Sequence, residues 1–302
     1  MTNLADIGLL AKLNSVQNSE QFEQFSTIQM PIEPHAPGNA PSPNAPPWNA
    51  LEAIGTWFAS VLLILIVPTF FLLPYLARLD PPITDSQQMV EFAKNDPTSV
   101  FLQIVAVLPA HLLTLILAWL VVTRGRKYEF RKMLGWSSGG FVWWHYCLIL
   151  GGFFIIATLV GSFFPEQEND LIRMLKTSRS AVYIVAFVAT FTAPIVEEVV
   201  YRGILYSAFQ RTIGVTGGFL LVTVMFAFVH VPQYYPSYST IFLLTLLSVI
   251  LTLIRVRANN LLPCIVLHTL FNGTQSILLI VEPLISKSPT PEHTDSIIRL
   301  FQ

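Results

Sequence analysis

Two adjacent carboxylates and a guanidinium stand in an otherwise apolar stretch, Pro194-Ile195-Val196-Glu197-Glu198-Val199-Val200-Tyr201-Arg202-Gly203, inside the hydrophobic run 181–209. A charge at the centre of a bilayer costs roughly 2.5–3.5 kcal/mol on insertion scales, so three unpaired ones would be prohibitive. A chain carries such groups where they pair, face a wet cavity or do chemistry. Residues four apart share a helix face, so Glu198 and Arg202 can pair. Glu197 then points about 100° away and is left for another task. Two further sets have the same spacing: Phe226-Ala-Phe-Val-His230 and His268-Thr-Leu-Phe-Asn272. Taken singly, the charge pair reads as functional by default, with helix packing as the competing account, and His230 as an interhelical hydrogen-bonder. Together, on three different hydrophobic spans, they read as a site, because helix bundles build sites from side chains on facing helices. Pro194, Pro232 and Pro263 lie beside the three groups. Helix breaks at membrane depth are tolerated where they line a wet cavity.

A carboxylate and imidazoles can activate water and protonate a leaving amine. His and Asn can donate hydrogen bonds to a developing oxyanion. There is no G-x-S-x-G, and Ser207 has no His near it in sequence. The zinc-protease signature H-E-x-x-H is also missing. Hydrolysis by a directly activated water fits best. The residues leave a metal-held and a glutamate-held water both open. His111 and His145 stand alone and read as packing or interface residues.

The elements that must position these groups are transmembrane helices. Hydrophobic residues make up 53% of the 302 and charged ones 12%, against about 25% charged in soluble domains. A spanning helix needs about 20 mostly apolar residues. That criterion predicts an all-α, polytopic bundle of about seven spans at 51–77, 100–123, 141–164, 181–209, 214–230, 240–254 and 261–281. Residues 169–180 read as a charged interfacial helix. Residues 1–50 are polar and Pro-rich and read as a disordered tether. Residues 51–180 then form amino-terminal membrane helices, 181–285 the core that carries the motifs, and 286–302 a tail. Net charge is −1, so no nucleic-acid partner is implied. Cys147 and Cys264 form no metal or redox motif, and no cleavable signal peptide is visible. Arg124, Arg126, Lys127, Arg131 and Lys132 place the second connection in the cytoplasm, with the amino terminus inside and the carboxyl terminus outside. With these boundaries Glu197 and His268 fall toward the cytoplasmic ends of their spans and His230 toward the far end of its own. Bringing them together requires Gly214, Gly217 and Gly218 to form a loop, with Pro232 mid-membrane.

The three motifs, in this order on successive hydrophobic spans, resemble the CPBP family, which comprises CAAX proteases and bacteriocin-processing enzymes and is also called Abi. That family shows E-E-x-x-x-R, F-x-x-x-H and H-x-x-x-N. The resemblance covers about 181–281 and implies an intramembrane endopeptidase. In eukaryotic and archaeal members the substrate is a prenylated C-a-a-X tail. By the same resemblance Glu197 is the general base, Glu198 and Arg202 a supporting pair, His230 a water holder, and His268 with Asn272 the oxyanion site. The family is often labelled metalloprotease, and Glu and His ligate zinc, so the resemblance makes Glu197, His230, His268 and Asn272 the candidate positions for a metal such as zinc. The implied partners are the bilayer and a membrane-anchored or lipidated peptide. Two other readings compete: a non-proteolytic scaffold or bacteriocin-immunity-type factor, and a proton-coupled carrier. The lack of internal repeats counts against the carrier.

Overall fold

The structure, a computed structural model, describes residues 40–165, 167–177 and 179–285. All regular elements among these residues are helical. Helix α1 (Ala50–Leu76) is started by a capping box: Asn49 Oδ1 accepts from Glu52 N at 2.9 Å and Glu52 Oε2 accepts from Asn49 N at 2.8 Å. After the short α2 (Ser86–Asn95), Asp96 caps α3 (Pro97–Thr123), whose first residue is a proline that has no N–H to leave unsatisfied. Arg124, in the left-handed region at φ 51°, ends it. Then come α4 (Phe130–Leu134), α5 (Trp143–Phe163) and α6 (Asp170–Thr177). A long helical run comes next: α7 (Arg179–Phe187), a π-helical segment (Val188–Thr192), α8 (Ala193–Glu198), a second π-helical segment (Val199–Leu205) and α9 (Tyr206–Tyr234). The last two helices are α10 (Tyr238–Ala258) and α11 (Leu262–Ile285).

Among the described residues six helices are long and apolar enough to cross a membrane. One of them, Ser180–Tyr234, has 55 residues. At 1.5 Å per residue it would reach about 80 Å if straight, far beyond a hydrocarbon core of about 30 Å. It is not straight. Gly214 takes φ 78°, ψ 168°, outside the helical region and open chiefly to glycine. The chain folds back there so tightly that a Cβ on Gly218 would lie 2.8 Å from Gln210 N. In a straight helix those positions would be about 12 Å apart. The helix therefore crosses twice, and the protein is an all-α, multi-pass bundle with seven crossings. Exposed Phe70, Leu148, Ile155 and Phe228 face outward along it, as lipid-facing side chains do.

Two expectations need correction. Gly217 and Gly218 are helical, and Gly214 alone makes the break. Pro232 lies in the last turn of α9, not mid-membrane. Glu197 comes to mid-span because its helix starts near 179 and runs on to Gly214, longer than hydropathy marks. The tether expectation also fails for residues 41–49; the part before residue 40 lies outside the described residues. The segment 41–49 caps one end of the bundle. Trp48 is buried, and its indole donates to Ile204 O at 3.0 Å. Arg211 donates to Pro46 O at 2.8 Å, Arg255 to Pro43 O at 2.9 Å, and Arg124 reaches both Pro47 O and Glu52. Residues 42–45 form a tight turn, closed by Ser42 N to Ala45 O at 3.1 Å and Ala45 N to Ser42 O at 3.0 Å, and the carbonyls of Pro43, Pro46 and Pro47 are left to accept from arginines carried by α10, by α9 and by the residue that ends α3.

Trp48 also packs among Leu134, Ile204 and Leu261 in the largest apolar cluster. Replacing it with Ala is expected to cost about 3–5 kcal/mol of stability, the range for emptying a buried aromatic site. Thermal unfolding of the purified Trp48→Ala protein checks this; an unchanged midpoint would show that the cap contributes nothing.

Candidate active site

The two π-helical segments bracket Glu197 and Glu198. A π turn holds one more residue than an α turn and so rotates the next stretch of helix about its axis. In the first segment Ala193 N donates to Val188 O, five residues back. Ala189 O thereby loses its α-helical donor. Its π-helical donor would be residue 194, a proline without an N–H. Asn272 Nδ2 from α11 fills the gap at 2.8 Å. In the second segment Tyr206 N donates to Tyr201 O, which releases Arg202 O, and Arg255 Nε from α10 donates to it at 3.2 Å. Side chains of other helices thus stabilise the widened turns that set the direction of each carboxylate.

Glu198 and Arg202 are fully buried and paired at 2.9 Å between Oε1 and Nη1. Arg202 Nη2 donates to Ser248 Oγ at 2.8 Å and to Ser248 O at 3.1 Å, and Nε to Thr252 Oγ1 at 3.3 Å. The Phe226 ring covers the guanidinium, with 4.5 Å from Cζ to the centroid. His268 Nδ1 lies 2.9 Å from the same Glu198 Oε1. A carboxylate only accepts, so Nδ1 carries the proton and the ring is aimed by Glu198. Its Nε2 then stands 3.8 Å from Glu197 Oε2, too long for a direct hydrogen bond and suited to a shared small molecule. Glu197 keeps 24% of its side-chain surface exposed where Glu198 keeps none. His230 Nδ1 lies 2.7 Å from Phe226 O, so it too donates and leaves Nε2 as an acceptor.

Glu197, His230, His268 and Asn272 all line one cavity of about 730 Å³. Glu198 and Arg202 stand behind its wall. All six sequence-selected residues therefore meet in one place. The expected lone role of His111 does not hold: it lines the same cavity and contacts Thr192 Oγ1 through Nδ1 at 2.9 Å. His145 keeps a structural role, its Nδ1 accepting from Val142 N at 3.2 Å at the start of α5. Three contributors escape a reading of sequence alone. Ser248 and Thr252 show the same four-residue polar spacing on an apolar span that marks the other groups. Tyr201 also lines the cavity. Its hydroxyl oxygen accepts from Trp57 Nε1 at 3.0 Å, and its own O–H has no acceptor among the described residues.

Among the described residues no three His, Cys, Asp or Glu side chains gather closely enough to hold a metal ion. Glu198 is committed to Arg202, and Asn272 Nδ2 to Ala189 O. The expected zinc set of Glu197, His230, His268 and Asn272 is not assembled as a ligand shell.

The two carboxylates should respond in opposite ways to the same change. Glu198→Gln leaves Arg202 buried without a counter-charge and is expected to cost on the order of 3 kcal/mol. Glu197→Gln, on the cavity wall, is expected to stay within about 1 kcal/mol of the parent. Unfolding midpoints of the two variants in detergent provide the check, and equal losses would contradict the division.

No protein of curated function and no solved structure matches the chain. Residues 179–274 match the family described as type II CAAX prenyl endopeptidase Rce1-like. The matched stretch begins at α7, carries all three motifs and ends two residues past Asn272. Over that region this integral, multi-pass membrane protein is similar to the Rce1-like endopeptidases, a finding consistent with the resemblance of its three motifs to the CPBP family.

Proposed function

We propose that Glu197 activates a water molecule that hydrolyses a peptide bond of a membrane-anchored polypeptide. The observation that carries this reading is the separation of two neighbouring carboxylates. Glu198 is locked in a dry ion pair, whereas Glu197 faces the cavity beside His268 Nε2 at 3.8 Å. Water between them donates one hydrogen to Glu197, and His230 Nε2 accepts the other. Attack on the substrate carbonyl moves the first proton to Glu197. Collapse of the tetrahedral intermediate returns that proton to the leaving amine, so water and peptide become acid and amine with Glu197 regenerated.

The oxyanion needs donors. Asn272 Nδ2 has two hydrogens and commits one to Ala189 O, so one remains. His268 donates through Nε2 when both ring nitrogens are protonated. That state also balances charge: two carboxylates stand against one guanidinium and one imidazolium, a neutral set suited to membrane depth. The cavity's apolar wall, which includes Ile64, Leu65, Ile104, Val107 and Leu279, accepts the lipid or apolar flank of the substrate.

A positioned general base contributes typically 10²–10⁴-fold, so Glu197→Gln should lower kcat by about that factor. Asn272→Ala should lower kcat by about tenfold or more, one oxyanion donor being worth up to 10²–10³. Both are measured on purified protein with a farnesylated C-a-a-X peptide and with its unlipidated counterpart. Full turnover by Glu197→Gln would remove Glu197 from the mechanism.

A further inference from the structure

The cavity reaches one end of the bundle and stops short of the other. On α1 its wall begins at Ser60, ten positions beyond Ala50, and on α3 it ends at Thr114, nine before Thr123. On α11 it begins at His268, six after Leu262, and on α10 it ends at Leu247, eleven before Ala258. At 1.5 Å per residue its floor lies roughly 9–16 Å from the end where these four residues stand. Toward the other end it reaches Tyr234, the last residue of α9, and Leu171 and Leu175 of α6. The first end is closed by Trp48, Leu134, Ile204 and Leu261, all buried. Gly203 sits so close to Leu134 and Leu261 that an added Cβ would lie 3.0 Å and 3.3 Å from them.

The closed end is also the basic one. Arg124, Arg126, Lys127, Arg131 and Lys132 fall within nine positions directly after α3, and Arg211 and Arg257 join them from the other turns at that end. The end the cavity reaches carries Arg78, Lys94, Arg173, Lys176 and Arg179 spread over two long connections, among the acidic Asp80, Asp85, Glu91, Asp96 and Glu168. Dense Lys and Arg next to span ends are retained in the cytoplasm.

We infer that the active-site cavity opens away from the cytoplasm, so that the substrate is a polypeptide whose cleavage site is presented in or above the outer leaflet. That the occupant is a substrate rests on the hydrolase reading; the direction of the opening does not. A chain tethered in the outer leaflet, by an acyl group or a membrane helix, can slide its flank along the apolar wall and bring a peptide bond down to Glu197. A tail displayed at the cytoplasmic surface meets the plug formed by Trp48, Leu134 and Leu261 instead.

The test is thiol accessibility in the full chain. Cys264 is buried and stays, and exposed Cys147 is replaced by Ala. Single cysteines are then placed at Gln275 and, on a different helix, at Gln103, both on the cavity wall. Gln87→Cys in α2 and Arg126→Cys in the basic turn serve as references for the two sides. A membrane-impermeant maleimide is applied to right-side-out and to inside-out vesicles. The expected result is labelling of Gln275→Cys, Gln103→Cys and Gln87→Cys in right-side-out vesicles, its loss in inside-out ones, and the reverse for Arg126→Cys. Cavity cysteines that react from the cytoplasmic side, or from both sides, would overturn the inference. Adding Glu197→Gln leaves the labelling pattern unchanged, so a failed sidedness and a failed protease assignment are told apart.

Discussion

A guanidinium that cannot lose its proton has been placed in the middle of a membrane protein, and its neutralisation organises the core. Arg202 requires both an anion and acceptors for its N–H groups. Glu198 supplies the charge, Ser248 and Thr252 supply oxygens from α10, and the Phe226 ring supplies its negative face from α9. Three transmembrane segments are thereby fixed in rotation about one side chain. His268 on α11 joins as the fourth, through the same carboxylate oxygen that Arg202 uses. The dry pair does not need to add stability to matter. Buried pairs often contribute little net energy, whereas losing one partner is severe. Such a pair therefore tolerates only a small set of helix orientations, and those orientations bring Glu197, His230, His268 and Asn272 to one wall.

The widened turns tie this cluster to the rest of the molecule. A continuous α-helix satisfies its own backbone, but the two π-helical segments leave Ala189 O and Arg202 O to outside donors. Asn272 serves the first and Arg255 the second. Arg255 is itself fully buried, and its remaining donors reach Ser207 Oγ, Asn44 Oδ1 and Pro43 O. Trp48 holds Ile204 O in the same segment. The segment 41–49 is thus two contacts from the charge pair, along a path of hydrogen bonds and packed side chains. The end of the bundle that is sealed and the region that carries the carboxylates are held by the same residues.

How much of this is legible in the chain depends on how local each cause is. Charge in an apolar run and i, i+4 spacing are local, so Glu197, Glu198, Arg202, His230, His268 and Asn272 are legible, as are the spans themselves. Ser248 and Thr252 carry the same local signal more weakly, because hydroxyls can bond back to their own helix and need no explanation at membrane depth. His111 is illegible: its partner Thr192 lies 81 positions away, and nothing near it in sequence is polar enough to mark it. The cap at 41–49 misleads because proline-rich composition describes a free chain equally well. Only the arginines of three distant helices, Arg124 at the end of α3, Arg211 in α9 and Arg255 in α10, give its carbonyls a reason to stay in place. The depth of Glu197 escapes because hydropathy measures apolar length, whereas the helix that carries it continues through polar residues to the fold at Gly214.

The adjacency of the two carboxylates is itself a physical solution. Neighbours on a helix differ by about 100° around the axis, enough to turn one side chain into the packed interior and the other onto a cavity wall. Two carboxylates four apart would share a face and repel each other there, and a single one could not both neutralise Arg202 and accept a proton from water. With Glu198 bound to Arg202, the charge beside Glu197 is already balanced, and the proton-accepting carboxylate can differ from its neighbour by rotation alone. One helix then carries both the group that must never change its partner and the group free to meet water, at the cost of two widened turns that neighbouring helices complete.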